Sequence, residues 1–247
     1  MRTWKRTWRW LRLGGVSASA LLASLGCAMG PEEFGPQVKS NATTLGSNIS
    51  IFRDVMAPHG EWLQLPEVGW VWRPDAKLVG LDFVPYATSG QWVFSDWGWT
   101  FQSDWDWGWA PFHFGRWFVA PSEGWVWWPD DEWAPSWVDW RWGEGLVGWQ
   151  PMPLPGMNVR RPWTFVATSD LVQPDVSRYL VPPDQEAALV GKTQPVGERV
   201  TGRTGQWNVG PAPDEVASAT GAPVPRTGPI APPTGQPPIA GPHAAAR

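Results

Sequence analysis

Between Gly60 and Trp149 stand 18 of the chain's 23 tryptophans, and any fold must either enclose that many indoles or present them to something. They recur in a phrase. Gly60-Glu-Trp62 leads to Gly69-Trp70-Val71-Trp72, Gly90-Gln-Trp92 to Gly98-Trp99-Thr100-Phe101, and Gly115-Arg-Trp117 to Gly124-Trp125-Val126-Trp127, with a partial echo at Gly148-Trp149. The Gly-Trp step returns at 69, 98, 124 and 148, at intervals of 29, 26 and 24 residues. That length suits a strand-turn-strand unit rather than a turn of helix.

Within these units the apolar residues alternate. Trp92 and Phe94 share a face, as do Trp99 and Phe101, Trp105, Trp107 and Trp109, Trp125 and Trp127, and Trp140 and Trp142. Turn formers separate the runs at Ser95-Asp96, Gln102-Ser103-Asp104, Pro121-Ser122-Glu123-Gly124 and Pro129-Asp130-Asp131. Such short spacings allow only antiparallel hairpins, because a parallel crossover needs about a dozen residues or more. Aliphatic residues are sparse here, so the indoles must supply most of the core, each burying roughly 150–250 Å² and gaining about 0.5–1.5 kcal/mol per ring pair beyond burial. Glycines beside them fit, since a position without Cβ lets an indole lie flat over the backbone. The predicted fold is all-β: short antiparallel hairpins in a tryptophan-rich repeat sheet or small barrel, with a short C-terminal helix and disordered tails.

Pro and Gly make 55 of the 247 positions and crowd the last third, which favours one folded core with tails over two full domains. Residues 1–26 read as an export signal of the lipoprotein type. Arg2, Lys5, Arg6, Arg9 and Arg12 precede an uncharged stretch, Leu13 to Gly26, that is too short to span a bilayer comfortably. Ser24-Leu25-Gly26-Cys27 resembles a bacterial lipobox, which makes Cys27, the chain's one cysteine, the lipidation site; the alternative is an ordinary cleavage after Ala28. Ala28 after the cysteine, by resemblance to Gram-negative lipoproteins, points to the outer membrane, with the protein facing the periplasm or the surface. One cysteine excludes an internal disulfide and a cysteine-based zinc site. Without residues 1–26, 14 basic residues face 23 acidic ones, near −9, which argues against nucleic acid as a partner.

Residues 27–50 read as a flexible spacer, with a short helix or turn from Phe52 to Pro58, and 51–155 as the repeat domain. Residues 156–200 read as a short β and turn extension, with a strand near Pro162 to Ala167, a helical turn at Thr168-Ser169-Asp170 and an extended piece at Arg178 to Val181. Residues 201–225 read as a linker whose Pro213 to Thr220 forms a short helix closed by Gly221, and 226–247 as a disordered tail.

Several phrases carry a resemblance: Met56-Ala-Pro-His-Gly-Glu-Trp62, Gly69-Trp-Val-Trp-Arg-Pro74, Gly108-Trp-Ala-Pro-Phe-His-Phe-Gly-Arg-Trp117, Gly124-Trp-Val-Trp127, Trp133-Ala-Pro-Ser-Trp-Val138 and Val147-Gly-Trp149, with Asn208-Val-Gly-Pro211 and Gly221-Ala-Pro-Val-Pro225 downstream. Over about residues 52–225 the chain resembles a family of exported, tryptophan-rich bacterial proteins of uncharacterised function, seen in proteobacteria including myxobacteria. Trp128 and Asp130 depart from the family's usual Val-Trp-Val-Pro-Gly. The resemblance implies an envelope address and carries no reaction or catalytic residue.

Little else points to chemistry. His113, inside Pro111-Phe-His-Phe-Gly115, reads as a hydrogen-bonded ring within an aromatic sheet, His59 as a solvated loop residue, and His243 as part of the tail. Asp104 and Asp106, and Asp130-Asp131-Glu132, invite comparison with the acid pair of a glycoside hydrolase, or at 130–132 with a calcium loop, but acids between strands ordinarily solvate turns. No catalytic residue, metal ligand or cofactor is assigned. If some indoles face outward, they mark a binding surface; Trp97, Trp107, Trp128, Trp133 and Trp137 are the candidates for stacking on a ligand. Choline- and glucan-binding repeats also use Gly-Trp hairpins, although theirs are shorter and richer in tyrosine. The expected function is therefore a non-enzymatic envelope lipoprotein, a structural or interaction module held to the membrane by its lipid. Its partner would be an envelope polysaccharide bound through exposed tryptophans, or another envelope protein; a hydrolase using an acid pair is the weaker third.

Overall fold

Each repeated phrase folds into one hairpin. In a computed structural model, which describes residues 50, 52–202 and 205–228, β1 (Gly60–Leu65) pairs with β2 (Gly69–Pro74), and β3 (Gly90–Ser95) with β4 (Gly98–Ser103). Likewise β5 (Phe114–Ala120) pairs with β6 (Gly124–Trp133), and β7 (Val138–Gly143) with β8 (Leu146–Pro151). The register sets equivalent aromatics face to face: Trp62 opposite Trp72, Trp92 opposite Phe101, Trp117 opposite Trp127, and Trp140 opposite Trp149. Such cross-strand pairs fix register, because a slip by one residue would turn every ring to the other face.

The glycine that begins the phrase has a steric purpose. A Cβ built at Gly60 would lie 2.6 Å from the Trp72 ring, and one at Gly90 2.7 Å from Phe101. At Gly115 it would lie 2.7 Å from the Trp127 ring and 2.1 Å from the Trp128 carbonyl oxygen, where φ is +66°. The large ring of the returning strand thus lies over the glycine of the outgoing one. In the Gly-Trp step, Gly69, Gly98 and Gly124 instead begin the return strand with positive φ, which closes the tight turns.

The strands form a sheet in the order β1-β2-β6-β5, a second in the order β10-β7-β8-β9, and two two-stranded sheets, β3-β4 and β11-β12. Here β9 is Thr164–Ala167, β10 Gln194–Val196, β11 Arg199–Thr201 and β12 Gln206–Asn208, and the pairings between these strands are antiparallel. The all-β expectation holds, with open sheets rather than a barrel. Short helices accompany them at residues 52–56, Ala76–Val79, Glu186–Lys192 and Pro213–Thr220; the last is closed by Gly221 in the left-handed region (φ +67°), as its Pro and Gly foretell.

Four local expectations change. Trp105, Trp107 and Trp109 lie not on a strand but on successive turns, closed by bonds such as Gly108 N–H to Trp105 O and Ala110 N–H to Trp107 O; the winding stacks Trp105 on Trp107 at 4.7 Å and 8°. Pro129-Asp130-Asp131 does not end a strand, because β6 runs on to Trp133. Phe114 pairs with Trp133 and Arg116 with Trp128, so residues 129–132 bulge opposite the single residue Gly115. Arg178 and Tyr179 lie in a 3-10 turn, Val176–Tyr179, rather than an extended piece. Finally, residues 206–216 are no linker. Trp207, Asn208 and Val216 are buried, Trp99 donates its backbone N–H to Val209 O and its indole N–H to Pro211 O, and Pro225 to Thr227 bonds to both sides of Phe94.

The first sheet separates two interiors. Trp72, Trp117 and Trp127 point into an aromatic cluster that also holds Phe52, Tyr86, Trp92, Trp99, Phe101, Phe112, Trp140 and Trp149. Val71, Phe118 and Val126, on the opposite face by alternation, join Ala120 and Leu154 in a smaller cluster, with Leu63, Leu65 and Trp128 packed against it. Within the aromatic cluster Trp92, Trp140 and Trp149 meet one another at 4.6, 5.5 and 6.0 Å. Their indole N–H groups have no oxygen or nitrogen partner, and the edge-to-face geometry of Trp92 on the other two aims ring edges at ring faces. The proposed signal 1–26, the lipidation site Cys27, the spacer through residue 49, the tail from 229 and His243 lie outside the described residues.

Candidate functional site

Where the β1-β2 hairpin ends, its edge meets the turn of the β5-β6 hairpin, and a cleft of ≈ 680 Å³ opens between them. Its size falls in the range of about 300–1,000 Å³ usual for ligand sites. Ala57 and Pro58 of the 3-10 turn, Gly60 and Glu61 of β1, Arg73 and Pro74 of β2, Asp75 to Leu81 in part, Phe83, and Glu123 to Trp125 line it. Each polar group is placed by a local cause. Glu61 and Arg73 are cross-strand partners and form an ion pair at 2.7 Å. Asp75 caps the short helix after β2, accepting the Lys77 N–H at 2.9 Å. Glu123 sits in the hairpin turn, and Gly124 after it brings the half-buried Trp125 to the cleft wall. At the mouth stands Leu81, 93 % exposed, with Leu78, 52 % exposed, three residues before it.

A second polar cluster centres on a buried arginine. Arg116, 6 % exposed, lies with its guanidinium carbon 3.4 Å from the centre of the Trp137 ring and donates to the Gly115 carbonyl at 2.9 Å. Burial lowers its pKa to about 10, opposed by the carboxylates of Asp130 and Glu132, which favour the cation. Burial raises Asp130 above the usual carboxylate range, opposed chiefly by Arg116. The 129–132 bulge brings these acids to the arginine, and Gly202 closes against Glu132, where a Cβ would meet the carboxylate at 2.1 Å. The bulge thus sets Asp130 and Glu132 within electrostatic reach of a buried cation, with Gly202 packed on Glu132.

Of the five tryptophans expected to stack on a ligand, three are enclosed. Trp137 is fully buried, its N–H given to His113 O. Trp97 is buried against Trp133 and Trp207, and Trp107 against Trp105 and Trp72. The wound turn carries Trp107 onto Trp72, β12 covers Trp97 at its hairpin turn, and the bond to His113 O holds Trp137 inside. Trp128 and Trp133 are half-buried, and each packs on a cluster, Trp128 beside Phe118 and Val126 and Trp133 on His113. The five do not assemble into one face. Asp104 and Asp106 are exposed on the turn after β4 and do not line the cleft. His59 stacks on Trp107 at 5.6 Å. His113, 3 % exposed, holds Ala134 O and Pro135 O, each at 3.1 Å from Nδ1, which requires the Nδ1–H tautomer; burial lowers its pKa to about 4 against those two bonds. Among the described residues no three His, Cys, Asp or Glu side chains are grouped to hold a metal ion, and no helix is long and apolar enough to cross a membrane.

The cleft was missed in the sequence because its residues are far apart along the chain. Trp125 read as core by its phrase, and Glu123 as turn solvent. Compared with known proteins, residues 53–156 match a family described as a family of unknown function (DUF6600). That span covers the four hairpins and the cleft and stops short of the 52–225 over which the sequence resemblance extends. No curated protein and no solved structure matches the chain.

Proposed function

We propose that the chain is a non-enzymatic interaction module of the cell envelope, exported and held by a lipid on Cys27, with the outer membrane as its address. The observation that supports this reading is where the indoles go. Eight tryptophans, Trp72, Trp92, Trp99, Trp117, Trp127, Trp137, Trp140 and Trp149, are among the largest fully buried side chains, so the unusual composition goes into a rigid scaffold. Partners then meet the surface that the scaffold holds still. Retention of the mature protein by fractionated envelope material, with a named polymer or protein recovered as the binder, tests the reading; a protein that no envelope fraction retains removes it. Mass spectrometry of the mature N-terminus tests the anchor, and an unmodified cut after Ala28 defeats it.

A second reading, recognition of envelope polysaccharide, is favoured by the cleft, which sets an indole among hydrogen-bonding side chains. Hydrolysis of such a polymer has less support, since Asp104 and Asp106 stand on an exposed turn outside the cleft lining. Release of reducing ends that vanishes in Asp104→Asn or Asp106→Asn would restore it.

A further inference from the structure

We infer that the cleft between the β1-β2 hairpin and the β5-β6 turn binds a glycan strand that carries no negative charge, with the Trp125 indole as the stacking surface and the Glu123 and Asp75 carboxylates as acceptors for its hydroxyl or ammonium groups. This rests on the interaction-module reading and assigns the ligand and the site within it.

A pyranose ring has a flat C–H face and a rim of hydroxyl groups, so its site must offer an apolar plane and hydrogen-bond acceptors side by side. The cleft does so. Trp125 is half-buried, its burial coming from the aromatic cluster it packs on, which fixes the ring and lowers the entropy cost of stacking on it. Phe83, Val79 and Leu81 continue the apolar surface, and Leu81 at 93 % exposure gains cover only when something lies across the mouth. Charge then selects. Glu61, Asp75 and Glu123 face the cleft with one cation, Arg73, which is already paired to Glu61 at 2.7 Å. Asp75 keeps acceptor capacity beyond its single capping bond, since an ionised carboxylate has about four lone-pair sites. A polyuronate or phosphate-rich polymer would be repelled, whereas neutral hydroxyl groups or protonated amines would find acceptors.

The test uses the full mature chain titrated with three soluble probes: chitosan oligosaccharides, which bear amines, a neutral β-glucan, laminarin, and a polyuronate, alginate. Binding to chitosan oligosaccharides or laminarin, with alginate excluded, is expected. Trp125→Ala should weaken that binding about tenfold, the scale of one lost ring contact, and Glu123→Gln should weaken chitosan binding more than laminarin binding. Thermal melts identify any variant that has lost its fold; if Trp125→Ala has, Glu123→Gln combined with Asp75→Asn decides alone. Wild-type glycan affinity in the folded variants overturns the assignment of this cleft, as does alginate binding as tight as the other probes. Failure of all three probes also overturns it, while retention by another envelope component in the same preparation would leave the interaction-module reading standing.

Discussion

The two faces of the first sheet solve the same burial problem with different materials. On one face Trp72, Trp117 and Trp127 enter the aromatic cluster, each giving its indole N–H to a backbone carbonyl, of Met56 at 3.0 Å, Pro111 at 2.7 Å and Phe114 at 2.6 Å. On the other, Val71, Phe118 and Val126 meet Leu154 with no polar atom in their side chains. Val71, Val126 and Leu154 need only volume, whereas Trp72 and Trp127 need volume, a carbonyl in the right place and a glycine beneath the ring. Position-specific demands of that kind make the aromatic face the more costly to disturb.

Substitutions can break the contrast. Trp127→Ala removes a fully buried ring, and should cost about 3–5 kcal/mol, enough to leave little folded protein in a urea titration; a loss no greater than that of an aliphatic truncation would abolish the distinction. Acid should act on the aromatic side through His113. Its folded pKa of about 4 lies below the ordinary 6.5, so between those values the unfolded chain binds more protons. Stability is therefore full above pH 6.5, falls as pH drops toward 4, and levels off below it. The total is about 3 kcal/mol, to be read from denaturation midpoints across that window and flattened in His113→Gln. Leu154→Ala, on the aliphatic side, should cost about 2 kcal/mol with no pH dependence of its own. The finest distinction is within the aromatic cluster. Trp99→Phe forfeits the bond to Pro211 O, while Trp92→Phe forfeits none, so the first should cost about 1 kcal/mol more than the second.

How much of this could be read from the chain follows the range of the interactions. The hairpins, their turns and the Pro213–Thr220 helix depend on near neighbours, and Gly-Trp spacing, alternation and a Pro-to-Gly span express them. The Gly60 and Trp72 relation is implicit in the phrase, although the sequence does not tell which ring covers which glycine. The winding of Trp105 to Trp109 escaped because period 2 also suits residues on successive tight turns when Gly108 permits them. The bulge at Pro129 to Glu132 depends on Gly115 of the facing strand, and the cleft joins residues near 60, 75 and 124. Neither has a local signature. Trp207 has no aromatic neighbour in sequence, and its N–H goes to Trp97 O, 110 residues away.

The strap from Gln206 to Thr227 ties the fold across long stretches of sequence. Trp99 gives its indole N–H to a carbonyl 112 residues further on, and Phe94 exchanges backbone bonds with Pro225 and Thr227. Contacts so far apart close large loops, whereas each hairpin closes a small one. The β3-β4 pair therefore owes its cover to the least local contacts of the molecule, and a break anywhere in the strap uncovers it.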